Sequence, residues 1–137
     1  PPRSTLFPYT TLFRSGAKIA LLSIPPIGES PQAPAFRASV AYSAVIRETA
    51  RREGCAYLPL NETMVAYLKA NPRPQRHSYS ESQSLMYAGI FRHFILGESF
   101  DGISSRHGFL LLTDFLHLNG RAAGMVADLV LEFVGDE

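Results

Sequence analysis

Thr113-Asp114-Phe115-Leu116-His117-Leu118-Asn119 follows the apolar run Phe109 to Leu112 and leads into a segment of helical spacing. Asp114 and His117 are three residues apart at that junction. A carboxylate so placed can accept a hydrogen bond from one imidazole nitrogen. It then fixes the tautomer and leaves the other nitrogen free as a general base. Downstream, Gly120 to Val134 carries Ala122, Met125, Val126, Leu129 and Phe133 on one face, with Arg121, Asp128 and Glu132 away from it. That period predicts an amphipathic helix. Asn119 is its candidate N-cap, which would anchor the loop holding His117.

Upstream of this block, Lys18 to Ile24 is a nearly continuous apolar run closed by Pro25-Pro26. Such runs suit strands buried on both faces of a parallel sheet, and the prolines lack the donor to continue a ladder. Gly28 to Pro34 reads as a loop where ligands usually approach an open α/β sheet. Ala35 to Glu53 predicts a helix with Ala38, Ala41, Tyr42, Val45 and Thr49 inward, and Arg37, Arg47, Glu48 and Arg51 outward. Gly54 suits its C-terminal end. Cys55 to Leu60 reads as a second strand, with Pro59 at an edge or already leaving the sheet. Strand, helix, strand predicts a right-handed parallel crossover.

Thr63 to Lys69 reads as a short helix, and Asn71 to Arg76, with Pro72 and Pro74, as loop. Ser78 with Glu81, or Ser80 with Gln83, forms a capping box for a helix over Glu81 to Leu96. That helix carries Tyr87, Ile90, Phe91, Phe94 and Ile95 on one face. The stripe either packs on the core or belongs to an insertion that shapes an acyl pocket. Gly97 to Gly108 reads as an irregular loop.

The Asp-x-x-His-Leu-Asn block, after an apolar run and before a helix, resembles the last motif block of the SGNH (GDSL-type) hydrolases. The resemblance extends back to about Ala17 through the strand ending in Pro-Pro, the long helix and the second strand. It implies an α/β fold, the C-terminal part of a three-layer flavodoxin-like α/β/α sandwich with parallel strands. It also implies a serine ester hydrolase acting on a small ester or acylated substrate, with His117 as base and Asp114 as its orienting acid. The chain departs from the pattern upstream. The family's nucleophilic Gly-Asp-Ser-type block and its oxyanion-hole Gly and Asn blocks precede the strand that here begins near Ala17. The reading is therefore a truncated domain over 16–137 that carries the acid and base but no nucleophile, and is inactive by itself. The alternative is a non-catalytic α/β binding or interaction module, with Asp114 and His117 purely structural.

Pro1 to Ser15, PPRSTLFPYTTLFRS, has two Thr-Leu-Phe copies and no amphipathic period. It matches the conceptual translation of a common short-read sequencing adapter, so we expect a non-native leader that takes no part in the fold. The whole chain has 137 residues and a net charge of +1, and 46% of its residues are hydrophobic. The length suits one globular domain. Discounting Arg3 and Arg14 of the leader brings the charge to −1, which argues against nucleic acid or an anionic membrane as partner. No apolar run approaches the roughly 20 residues of a transmembrane helix. Cys55, alone, forms no internal disulfide and reads as a small buried residue.

Rival constellations are weak. Gly28-Glu29-Ser30 follows a strand as a nucleophile block would, but the same triplet recurs at Gly97-Glu98-Ser99 and neither is followed by an oxyanion segment. There is no Gly-x-Ser-x-Gly elbow, phosphate loop or dinucleotide fingerprint, so no cofactor is expected. His77, His93, His107 and His117 lack metal-ligand spacing, and the first three read as surface or capping histidines.

Overall fold

A computed structural model describes residues 17–135 of the chain. The leader over 1–15 lies outside the described residues. Strand β1 (Ala20–Leu22), helix α1 (Pro34–Glu53) and strand β2 (Ala56–Leu58) form a β-α-β unit. They are followed by α2 (Leu60–Ala70), a 3₁₀ turn (Tyr79–Glu81), α3 (Ser82–Phe94), α4 (Phe100–His107) and α5 (Gly120–Gly135). β1 and β2 pair in parallel, with Ala20 opposite Ala56, Leu21 opposite Tyr57 and Leu22 opposite Leu58. The fold is therefore mixed α/β, mostly helical, around a two-stranded parallel sheet. Two strands do not by themselves make a three-layer sandwich. Among the described residues no helix is long and apolar enough to cross a membrane.

The strands are shorter than the apolar runs that contain them. Ser23 N–H still donates to Leu58 O at 3.0 Å, but beyond it the chain turns into Pro25-Pro26. Side chains then hold the strand end. Asn61 donates its Nδ2–H to Ile24 O at 2.9 Å and its backbone N–H to Ser23 Oγ at 2.8 Å. Helix α2 consequently begins at Leu60, ahead of the expected Thr63. Gly54, at φ 68°, ends α1 as its position implied.

The inward face of α1 is not the expected one. Tyr42 and Val45 are each 63% exposed, whereas Phe36, Ser39, Ser43 and Ala50 are buried. Hydropathy places serine outward. Here the small side chains permit close approach and satisfy the backbone below. Ser39 Oγ accepts from Ile27 N–H at 3.4 Å, and Ser43 Oγ donates to Ile24 O at 3.3 Å.

The span Gly97 to Gly108 also differs from expectation, because it contains α4. Ser99 Oγ caps that helix by accepting from Gly102 N–H at 3.1 Å, and Gly108 closes it at φ 82°. Both helix signals were in the sequence, but the buried face is Ile103, Ser104 and His107, with no apolar stripe to reveal it. Helix α3 shows the reverse. Its stripe does not pack on the core: Phe91 is 55% exposed and Phe94 73%, and the residue that packs inward is Leu85. The Ser78–Glu81 capping box is present, with Ser78 N–H donating to Glu81 at 2.7 Å, but it caps the 3₁₀ turn ahead of α3, which itself starts at Ser82 without a side-chain cap.

Phe36, Leu60, Met64, Leu68, Leu85 and Ala122 converge on the segment Phe109–Leu112 and on Phe115. The centre of the core is thus a loop. Burial of these side chains contributes on the order of 2 kcal/mol each before entropy is counted. Met125, Val126 and Leu129 of α5 pack against it on the face the period indicated.

Candidate active site

A buried loop must find partners for its backbone groups, or each costs the free energy of a lost hydrogen bond. Phe109 N–H donates to Ser104 O at 2.9 Å, and Thr113 N–H donates to His117 O at 2.8 Å. Asn119 N–H donates to Leu111 O at 2.9 Å, while its Nδ2–H donates to Leu110 O at 2.9 Å. His107, buried at 7% exposure, donates its Nδ1–H to Thr113 O at 2.7 Å. It is therefore neither a surface nor a helix-capping histidine. Its helix places it behind the loop, where the carbonyl can only accept.

The N–H groups of Leu110, Leu111 and Leu112 all point at one side chain. Glu29 Oε1 accepts from them at 3.0, 2.7 and 3.0 Å, and Oε2 accepts a second contact from Leu110 at 2.8 Å. A single carboxylate here replaces the neighbouring strand that three consecutive donors would otherwise need. Burial pushes the Glu29 carboxyl above its ordinary value, against the downward pull of these N–H groups and of Arg73. Beside it, Gly28 N–H donates to Phe115 O at 2.8 Å. Gly28 has φ +73°, and a Cβ there would meet the Phe115 ring at 3.0 Å. The Gly-Glu pair therefore clamps both limbs of the loop.

This clamp presents Asp114 and His117. Asp114 is 4% exposed. Its Oδ1 accepts from the backbone N–H of Leu116 at 2.7 Å and of His117 at 3.0 Å. With that oxygen fixed by the chain, Oδ2 is aimed. It accepts from His117 Nδ1 at 2.8 Å. A carboxylate oxygen facing the ring requires Nδ1 to carry the proton, which leaves Nε2 as the basic nitrogen. The His117 side chain is 60% exposed, and its Nε2 has no hydrogen-bond partner among the described residues. Asn119 Oδ1 accepts from Ala122 N–H at 3.0 Å, so the expected cap ties the block to α5.

An apolar cavity of about 350 Å³ opens beside the pair. Met86, Gly89, Ile90 and Phe94 of α3 form one wall, and Phe100 and Ile103 of α4 another. Asp114 and His117 lie at its edge. In comparisons with family models, curated proteins and solved structures, nothing matches this chain.

Of the rival groups, Ser30 Oγ donates to Gln32 Oε1 at 3.1 Å and Ser99 caps α4. Neither shares a hydrogen bond with His117 among the described residues. Cys55 is a half-buried free thiol. Sequence reasoning passed over Glu29 and His107. Glu29 stood in a triplet judged only for its serine, although an acidic residue after a strand-ending Pro-Pro-x-Gly was a signal in itself.

Proposed function

We propose that this chain is the C-terminal part of a serine ester hydrolase of the SGNH type, within a three-layer α/β/α sandwich that further strands would complete. The observation that carries the reading is the 2.8 Å hydrogen bond from His117 Nδ1 to a carboxylate oxygen that the backbone holds in place. In the intact enzyme, His117 Nε2 takes the proton of a serine hydroxyl supplied from outside this chain. The serine oxygen then forms a bond to the ester carbonyl carbon. The ester bond from that carbon to the alcohol oxygen breaks as His117 gives its proton to the leaving alcohol, and water repeats the cycle on the acyl-enzyme. Asp114 keeps the tautomer correct and stabilises the imidazolium. The half-exposed His117 and the adjoining apolar cavity support the same reading, since a reacting serine and an acyl group both need access to one nitrogen.

The alternative of a non-catalytic module draws on one observation: Asp114 also closes its own turn through Oδ1. The two readings separate experimentally. Genomic sequence upstream of Gly16 is obtained, and the extended reading frame is expressed and assayed with a chromogenic acetyl ester. We expect a Gly-Asp-Ser-type block and turnover that falls by several orders of magnitude in His117→Ala. An extended frame with neither the block nor turnover overturns the proposal. On this reading residues 17–135 supply neither nucleophile nor oxyanion hole, and loss of one oxyanion donor alone costs on the order of a hundredfold. We expect it to show no turnover above background.

A further inference from the structure

Among the polar side chains that line the cavity beside His117, the His117 ring keeps one nitrogen without a hydrogen-bond partner among the described residues, and the other lining side chains are apolar. Thr113 O is already occupied by His107, Thr113 Oγ1 donates to His117 O at 3.3 Å, and both Asp114 oxygens are engaged. That leaves His117 Nε2. The walls are thioether, aliphatic and aromatic, with no charged side chain from α3 or α4. A ligand complementary to this arrangement is apolar along its length and polar at one end.

Two further details favour an open trough that an extended chain fills. Gly89 sits in the middle of α3, where glycine costs about 1 kcal/mol relative to alanine. A Cβ there would meet Ile103 Cγ2 at an ordinary 3.6 Å, so packing does not demand glycine. Its missing side chain instead leaves the space between the helices empty. Ile90, Phe94 and Phe100 at the lip are 48%, 73% and 45% exposed, an apolar rim that a bound chain would cover. At about 30 Å³ per methylene-sized group, a cavity of this volume holds on the order of ten carbons.

We propose that the α3–α4 cavity is the acyl site of the protein and takes a linear aliphatic acyl chain of medium length, with its carbonyl end at His117. The orientation of the carbonyl end rests on the hydrolase reading above; the apolar cavity does not. Gly89 and Phe94 set the length that is accepted. Met86 and Ile103 form the walls between them.

The test uses the full chain and hexanoate, octanoate and decanoate below their micelle concentrations, followed by methyl and imidazole NMR. Saturable shifts of the Ile90, Ile103 and Leu118 methyls are expected, with binding tightening about threefold per added methylene. Benzoate should bind more weakly than octanoate. Gly89→Leu fills the trough and should weaken decanoate binding at least about tenfold, the loss of two or more methylene contacts. Phe94→Ala removes an exposed lip that lies outside the core and touches the edge of the His93 ring, and should weaken it about threefold, so the test survives misfolding of the first variant. Absence of saturable methyl shifts, with the His117 Nδ1–H resonance still present, overturns the acyl site and leaves the hydrolase reading standing. Methyl shifts without any change at the His117 ring overturn the proposed orientation of the carbonyl end.

Discussion

Glu29 Oε1 lies 2.7 Å from the backbone nitrogen of Leu111, 82 residues later in the chain. This contact and its neighbours at Leu110 and Leu112 join the loop after β1 to the loop that carries Asp114 and His117. The apolar segment at the centre of the core bridges to Leu118 through Leu112, but among the described residues no strand lies against its Leu110–Leu112 N–H groups, so the carboxylate serves as their acceptor row. We expect Glu29→Ala to destabilise the protein by roughly 3 kcal/mol, because up to three buried donors lose their partner. Chemical denaturation measures it; a loss below about 1 kcal/mol would mean that water replaces the carboxylate without penalty.

The same group gives a pH dependence of definite sign. Burial raises the Glu29 carboxyl above 4.5, so the folded state holds this proton more tightly than the unfolded chain does. Its contribution is fully present below the unfolded value and is lost as pH rises through the folded value. Glu81, held low by the Ser78 N–H, and Glu98, held low by the Arg92 guanidinium, act with opposite sign. The informative quantity is therefore the difference between wild type and Glu29→Gln. We expect wild-type stability to fall relative to the variant as pH rises from about 4.5. A difference that stays flat from there to neutrality would contradict the assignment.

Asp114→Asn separates orientation from folding. The asparagine Oδ1 can still accept from Leu116 and His117 N–H, but its amide hydrogens then face His117 Nδ1 and require that nitrogen to be unprotonated. We expect stability within about 1 kcal/mol of wild type, together with loss of the downfield Nδ1–H resonance of His117. On the hydrolase proposal, the wrong tautomer should cost the extended protein on the order of ten-thousandfold in turnover. Retention of the resonance would show that the ring is held by something other than Asp114.

Two glycines should respond to alanine in opposite directions. Gly28→Ala forces a side chain onto positive φ and into the Phe115 ring at 3.0 Å, so we expect a loss of about 1–3 kcal/mol. Gly124 lies within α5, and a methyl group added there would meet nothing within 4 Å, so Gly124→Ala should gain about 0.5–1 kcal/mol. Thermal unfolding of both variants compares them directly; equal shifts would contradict the clamp at Gly28.

Strand β1 has β2 on one side and no other strand among the described residues. Leu22 is 37% exposed, and Tyr42 and Val45 of α1 are also open to solvent. An apolar strand with an unpaired edge is a template for pairing between chains. We expect the purified protein to self-associate, and Leu21→Lys to raise the soluble fraction while costing about 1 kcal/mol or less of stability. Light scattering after size exclusion reads the outcome. A wild-type monomer with a sharp, reversible transition would show that the edge is not a liability.

The local signals in the sequence were of two kinds, and both were legible. Asn119 before a regular apolar period located α5 and its cap, because capping and the 3.6 period act within a few residues. Asp114 and His117 met as expected, because one turn of chain is enough to bring them together. The apolar runs ending in Pro-Pro and at Pro59 placed the two parallel strands for the same reason.

Tertiary structure decided what depends on distant partners. Ser39 and Ser43 face inward on α1 because the ends of β1 leave carbonyl and N–H groups that need hydroxyls, a demand invisible to hydropathy. The stripe on α3 stays off the core: Ile90 and Phe94 border the cavity beside His117, while Tyr87, Phe91 and Ile95 are exposed. Glu29 and His107 became supports of the loop only when folding brought them against backbone groups that no nearer residue could satisfy. The sequence by itself determined that Asp114 and His117 meet; the fold decided that a buried carboxylate far upstream holds their loop, since hydrogen-bond accounting in a core closes only in three dimensions.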